Sequence, residues 1–287
     1  MDWNSSKIVM VRFANPGAAC YINAALQLLA CVAVKNWGLS SAGTFLNTLR
    51  KAKVDDSNET MMVFDDINEF VDDDYRYEGY QQDAHEILLH VLNCLRTDVL
   101  INKIFGLVTT SVTKCMACHN VSERESTEWQ LTVDSSATGI KDYFTKYFVP
   151  ERLLEGYECE RCTISDKTVR TPAERHQRIK QWPPYLLFQI MRFQGDRKLT
   201  ESFDFPLAFY GTEPTDPEYV LEAAVLHLGA TMSSGHYVTV AFNPAQDQYY
   251  LYDDDREPRP KKLAEVTSPA HKKSVYLLLY RSRPRKN

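Results

Sequence analysis

No apolar run in this chain reaches the length of about 20 residues that a bilayer-spanning helix needs. The opening MDWNSSKIVMVRF also lacks the extended apolar stretch of a secretory leader. No membrane partner is expected. Basic charge is not in excess either: 33 lysines and arginines stand against 38 acidic residues, a net charge of −5. The phosphates of nucleic acid are therefore no natural partner. Internal repeats and low-complexity linkers are missing. The cysteines do not come in an even number. There are seven, and four of them fall into two Cys-x-x-Cys units. That argues for metal binding in a reducing compartment, cytoplasmic or nuclear, and against a disulfide framework.

What is present is ordinary for a globular protein: 44% hydrophobic and 25% charged residues over 287 positions. This suffices for one large domain or two small ones, with a core that needs no staples.

In NPGAACYINAALQLLA, Pro16-Gly17 marks a turn. Beyond it Tyr21, Ile22, Ala25, Leu26, Leu28, Leu29 and Val32 recur at helical spacing and predict a helix buried on one face. Cys20 falls at its first turn, where unpaired backbone N–H groups and the positive end of the helix dipole stabilise a thiolate. A small core residue would fit there as well; a nucleophile would need a base elsewhere in the chain. Cys31 and Cys94 lie inside apolar helical patterns and read as core thiols.

Residues 1–100 are mostly helical in pattern, most clearly in QQDAHEILLHVLNCL. The acidic FDDINEFVDDDYRYEGY before it reads as a solvated face or a surface for a basic partner. From about residue 105 the texture turns to β. FGLVTTSVTKC, TEWQLTV, YLLFQIMRF, YVLEAAVLHL, HYVTVAF, YYLYD and SVYLLLY all predict strands. The closing RSRPRKN reads as a solvated basic tail.

CMAC supplies Cys115 and Cys118, and CERC supplies Cys159 and Cys162. Each knuckle sets two sulfurs on one side of a tight turn, and two knuckles make four soft ligands for tetrahedral Zn²⁺. The long gap between them requires strands that bring the second back to the first. With cysteine at all four positions and none left for water, such a site would be structural.

Among the seven histidines, His236 stands out. It follows Ser-Ser-Gly and opens a strand, a junction from which an imidazole can project into a cleft as a general base. YYLYDDD then places Asp253 and Asp254 after the next strand. If the two strands form a hairpin, His236 and Asp253 sit near opposite ends of one rung. The carboxylate could there accept the imidazole Nδ1–H and fix the tautomer. An acidic cluster after a strand is also a common turn.

These blocks, in this order from about Arg12 to Tyr280, resemble the ubiquitin-specific protease family of papain-like deubiquitinating cysteine proteases. The resemblance implies an α+β fold shaped like a right hand, with a helical thumb, a β-sheet palm and zinc-bearing β-fingers. It implies a single catalytic domain over residues 8–283, with the thumb at about 8–104, the fingers at about 105–185 and the palm at about 186–283. The implied activity is hydrolysis of the bond between the C-terminal glycine of ubiquitin and a lysine amine or peptide. Partners would be ubiquitin and ubiquitinated proteins, the chain a monomer, the cofactor a structural Zn²⁺ with none needed for catalysis.

Residue by residue, Cys20 matches the nucleophile, His236 the base and Asp253 its orienter. Asn15 matches the oxyanion donor, and Asp254 a supporting carboxylate. Gln81, Asp83 and Glu86 match the helix lining the channel for ubiquitin's tail, and Tyr237 its aromatic wall. Two departures stand out: Gly17-Ala18-Ala19-Cys20 replaces the frequent Gly-Asn-Thr-Cys, and Tyr249 the usual tryptophan. A protease for another ubiquitin-like modifier and an inactive ubiquitin-binding scaffold are the alternative readings.

Overall fold

The computed structural model describes residues 12–15, 17–32, 49, 79–96, 99–163, 168–195, 197–211, 213, 215–231 and 234–283. Pro16 and Asp72–Asp74 of the acidic stretch lie outside them. No helix among the described residues is long and apolar enough to cross a membrane.

Helix α1 (Cys20–Ala30) begins at the cysteine itself, and all eleven of its residues are buried. Its alanines and leucines favour helix, and a helix apolar on every side belongs inside a core. The next helix, α2 (Ala84–Cys94), starts where the Asp83 carboxylate accepts the His85 amide at 2.6 Å, and it packs on α1. Ala84, Ile87, Leu88, Val91 and Leu92 form its buried face, at the spacing read from the sequence. Cys31 is buried as expected, but Cys94 is exposed: the apolar stripe passes beside it, not through it. The short α3 (Val99–Phe105) leads into the first sheet.

The strands and helices that follow are β1 (Leu107–Cys115), β2 (Val121–Glu128), β3 (Leu131–Val133), α4 (Ile140–Tyr147), β4 (Glu151–Glu158), β5 (Arg170–Gln181) and β6 (Tyr185–Ile190). Then come β7 (Phe193–Gln194), β8 (Arg197–Lys198), β9 (Ala208–Tyr210), β10 (Glu218–Leu228), β11 (His236–Asn243), β12 (Gln248–Tyr252) and β13 (Arg259–Lys261). The series closes with α5 (Leu263–Val266), α6 (Pro269–Ser274) and β14 (Val275–Arg283).

The fingers are a four-stranded antiparallel sheet in the order β2-β1-β5-β4. Every residue of β2 is exposed. Arg178 and Lys180 of β5 reach over the small side chains of β1 to Glu123 and Glu125 of β2. TEWQLTV is not one strand: β2 ends at Glu128, and β3 leaves the fingers to pair in parallel with β6 of the palm. Residues 131–133 therefore belong to the palm sheet although they fall within the stretch read as fingers.

The palm is an eight-stranded sheet in the order β13-β12-β11-β10-β14-β6-β3, with β9 also on β10. The period of two along each strand sends alternate residues to opposite faces. Tyr185, Leu187, Ala223, Val225, Leu277 and Leu279 pack beneath the thumb helices. Leu186, Phe188, Leu221, Ala224, Leu278 and Tyr280 pack on the opposite face with α4. The basic tail begins later than the sequence indicates, since β14 runs through Arg283 and the Arg281 Nε donates to the buried Glu222 at 2.6 Å.

Candidate active site

α1 lies against β11, and this contact brings the start of one to the start of the other. Cys20, the first residue of α1, is 3% exposed, so the thiol is buried. Its N-terminal turn carries no side-chain cap, which leaves the first-turn amides pointing past the helix end. The Cys20 thiol lies beside the His236 ring and is the largest upward influence on it. On the other side of that ring, Nε2 lies 2.6 Å from Asp253 Oδ1. The nitrogen facing the carboxylate is thus Nε2, not Nδ1, and Nδ1 is left for the thiol.

Nor do His236 and Asp253 share a rung. The β11–β12 ladder ends at Thr239↔Tyr252, so Asp253 falls one step beyond it and meets His236 diagonally, a reach that suits a long side chain. Asp253 is buried, and its second oxygen accepts from Arg256 at 2.8 Å and Arg259 at 3.3 Å. Burial alone would raise the Asp253 carboxyl, but the bond to His236, its charge and Arg256 outweigh it and hold the group below its ordinary value. His236 is pushed up to about 9: the bond to Cys20 contributes most, the bond to Asp253 adds to it, and burial opposes both. A thiol paired with an imidazolium that a buried carboxylate orients can act as a nucleophile with its acid–base partner attached.

Asp254 turns the other way, but not because a strand continues. Its backbone is left-handed, at φ 54°, and it directs the carboxylate at the thumb. Oδ2 accepts the Asn15 Nδ2 at 2.7 Å and Oδ1 the Asn23 Nδ2 at 2.8 Å. Asn15 Oδ1 accepts the amides of Gly17 and Ala19, both at 3.0 Å. One carboxylate thereby anchors the turn that presents Cys20.

At the tip of the fingers the four sulfurs of Cys115, Cys118, Cys159 and Cys162 lie within 4.8 Å of one another. The Cys115–Cys162 and Cys118–Cys159 separations are 3.8 and 3.5 Å. A tetrahedron with metal–sulfur bonds of about 2.3 Å needs sulfurs roughly 3.8 Å apart, so the set fits one metal ion. The Thr171 hydroxyl draws Cys115 down to about 6, whereas Cys118 and the other crowded thiols push Cys162 up to about 12. Crowding of this kind keeps the four from ionising together unless a cation sits among them.

The chain matches the family model described as UCH, ubiquitin carboxyl-terminal hydrolase, over residues 11–280. It belongs to the ubiquitin carboxyl-terminal hydrolase family. Among curated relatives it is 24% identical to ubiquitin carboxyl-terminal hydrolase 36 of Drosophila ananassae, over 94% of this chain and 28% of that protein. It is 29% identical to ubiquitin carboxyl-terminal hydrolase 19 of Arabidopsis thaliana, over 72% of this chain and 34% of that one. The chain thus spans about a quarter to a third of the length of these relatives. In fold it resembles a chain of the SAGA Ubp8/Sgf11/Sus1/Sgf73 DUB module bound to ubiquitin aldehyde. The TM-score is 0.74 at 19% identity, covering 100% of this chain and 72% of that one.

The residues matched to the family's tail channel are placed unevenly. Glu86 is exposed and its carboxyl is raised by partial burial and by Asp83. Gln81 is half-buried, with its amide nitrogen lacking a partner. Asp83 does not stand beside Glu86 on an open channel. It is 6% exposed, with one oxygen capping α2 and the other accepting the Tyr276 hydroxyl at 2.6 Å. Tyr237 is no open wall either: it follows His236 on the strand, points to the opposite face, and is buried against His227, ring centres 4.7 Å apart.

Sequence reasoning missed Asn23, Arg256 and Arg259. Asn23 carried a signal, one of two polar residues, with Gln27, on a mostly apolar helix, three positions after the cysteine. It also passed over the floor under the loop that leads to His236. There a side chain on Gly235 would come within 2.4 Å of the His227 ring, and the Lys198 ammonium donates to the Gly229 carbonyl at 3.1 Å.

His236 should titrate near 9 in an NMR pH titration, well above the ordinary 6.5. Its bonds therefore stabilise the fold fully below about pH 6.5 and lose that contribution as pH rises through about 9. Cys20→Ser should move the value back toward 6.5, because the thiol supplies the largest upward influence; an unchanged value would break the assignment of the pair.

Proposed function

We propose that the chain is a cysteine-type deubiquitinase, hydrolysing the bond between the C-terminal glycine of ubiquitin and a lysine amine or peptide. The observation that carries this is the His236 ring, held at 2.6 Å by the buried Asp253 carboxylate and raised most by the Cys20 thiol at the start of α1, in a chain of this family.

In the proposed reaction Cys20 and His236 react as thiolate and imidazolium. The sulfur attacks the glycine carbonyl. Negative charge develops on its oxygen beside the first-turn amides of α1 and Asn15, whose Nδ2 keeps a second hydrogen after bonding Asp254. The imidazolium then protonates the leaving amine through Nδ1, while Asp253 holds Nε2 and the ring's orientation. Water, deprotonated by the neutral ring, hydrolyses the thioester and frees ubiquitin. Glu86 and Gln81 line the route of the arginine-bearing tail. Cys115, Cys118, Cys159 and Cys162 hold one structural Zn²⁺, whose role is to fix the finger tip. Seven cysteines and no disulfide among them suit a reducing compartment, cytoplasm or nucleus, and all three reacting groups come from one chain, so a monomer suffices.

Ubiquitin carrying a C-terminal electrophile should add once to the chain by intact mass. Cys20→Ala should abolish the adduct and Cys94→Ala leave it. Asp253→Ala should lower kcat by about 10²- to 10⁴-fold. Labelling at Cys94 instead, or reaction only with another ubiquitin-like modifier, would overturn the assignment.

Elemental analysis of chelator-free protein should give one zinc per chain. A serine at any of the four cysteines should release it and destabilise the fingers by several kcal/mol. Protein purified without metal and equally stable would contradict this.

A further inference from the structure

His85 sits where thumb, fingers and palm meet. Its ring is buried at the first turn of α2, and its two nitrogens face different elements. Nε2 lies 2.9 Å from Gln130 Oε1, in the link between β2 and β3. Nδ1 lies 2.9 Å from Gln189 Nε2 on β6. Gln130 Nε2 donates to Thr132 Oγ1 at 3.5 Å, and that hydroxyl donates to Gln189 Oε1 at 3.4 Å. The four bonds close a ring with a single direction of donation: His85 to Gln130, to Thr132, to Gln189 and back to His85. With the two glutamine amides oriented this way, the ring takes a neutral imidazole with its proton on Nε2, because the Gln189 amide donates to a lone pair on Nδ1. The backbone joins the same network. The His85 amide donates to Asp83 Oδ1, Asp83 Oδ2 accepts the Tyr276 hydroxyl, and that hydroxyl contacts Gln189. None of these groups touches Cys20, His236 or Asp253.

We propose that His85 is a positioning residue: by closing this ring it fixes the first turn of α2, and with it Gln81 and Glu86, in the orientation that receives the substrate's C-terminal tail. The inference rests on the proposed reading of the thumb–palm cleft as the tail channel. The charges around the ring are few. Asp83 favours the imidazolium, Glu86 one position on turns to solvent, and Tyr276 on β14 is held neutral by burial and by Asp83. Gln130, Thr132 and Gln189 carry no charge. Burial outweighs Asp83 and Gln130 and keeps His85 below its ordinary value. Protonation would place a hydrogen on Nδ1 where Gln189 already donates, so the ring opens in acid.

The test uses the full chain and a fluorogenic ubiquitin C-terminal amide. His85→Leu leaves both glutamines short of a partner and should raise KM about tenfold with kcat within about twofold. His85→Gln restores one donor and one acceptor and should bring KM back to within about threefold of the original. KM of the unaltered chain should climb as pH falls below the ordinary histidine value, while that of His85→Gln stays flat. NMR of the unaltered chain should show the Nε2–H tautomer and titration below 6.5. Equal KM for the two variants, a loss confined to kcat, or an Nδ1–H tautomer would overturn the proposal. A chain that never cleaves the ubiquitin substrate would instead overturn the proposed function, while the NMR tautomer would still decide whether the ring exists.

Discussion

The site depends on one carboxylate that never meets the thiol. Asp254 follows the last residues of a palm strand, and its bond partners Asn15 and Asn23 lie 239 and 231 positions away in the thumb. Cys20 sits between those two asparagines in sequence. Fixing both from a single left-handed residue sets the height of the turn and the rotation of α1 together. The Asp254 carbonyl adds a third tie, accepting the Phe13 amide at 3.4 Å. Asn23 Nδ2 also donates to the Ala14 carbonyl at 3.0 Å; a partly buried donor left without any partner costs about 1–3 kcal/mol. The thumb and palm are therefore held in register at the place where chemistry requires it, and the largely apolar seam between α1 and β11 adds adhesion and one buried bond, from the Thr239 hydroxyl to the Ala24 carbonyl at 3.1 Å.

The adjacent Asp253 has the complementary task. It is shared among His236, Arg256 and Arg259, and the three contacts are unequal. The arginines are 70% and 58% exposed, so water and salt screen them, and such pairs are worth at most about 1 kcal/mol. The bond to the half-buried His236 operates in a lower dielectric and decides which oxygen faces the ring. Neighbouring aspartates thus diverge into electrostatics and architecture because the backbone turns left-handed between them.

The sequence made the centre legible and the periphery less so. α1, α2 and the palm strands announce themselves because burial imposes apolar periods of 3.6 or 2, and the order of Cys20, His236 and Asp253 with the paired Cys-x-x-Cys units points to one family. β2 and β5 were hidden because most of their side chains reach water, so VSERESTE and RTPAERHQRIKQ carry charge where a strand pattern expects apolar residues. Asp83 and Tyr237 were misplaced for a different reason. A motif names residues near a channel but not which of them face inward, and here a helix cap and strand alternation turn both into the core. Asp254 read as part of an acidic cluster after a strand, and its positive φ shows where its carboxylate goes.

The most direct measurement of this account is the rate at which Cys20 alone is alkylated by iodoacetamide near pH 6, followed by peptide mapping. At that pH a thiol reacts quickly only if an aligned imidazolium keeps it as thiolate. Asp254→Ala, which keeps the His236–Asp253 bond but removes the clamp and a charge that favours the His236 imidazolium, should slow the reaction by about tenfold or more, while Cys94 reacts as before. Alkylation of Cys20 at the full original rate in Asp254→Ala would show that the thumb–palm clamp does not set the thiol–imidazole pair.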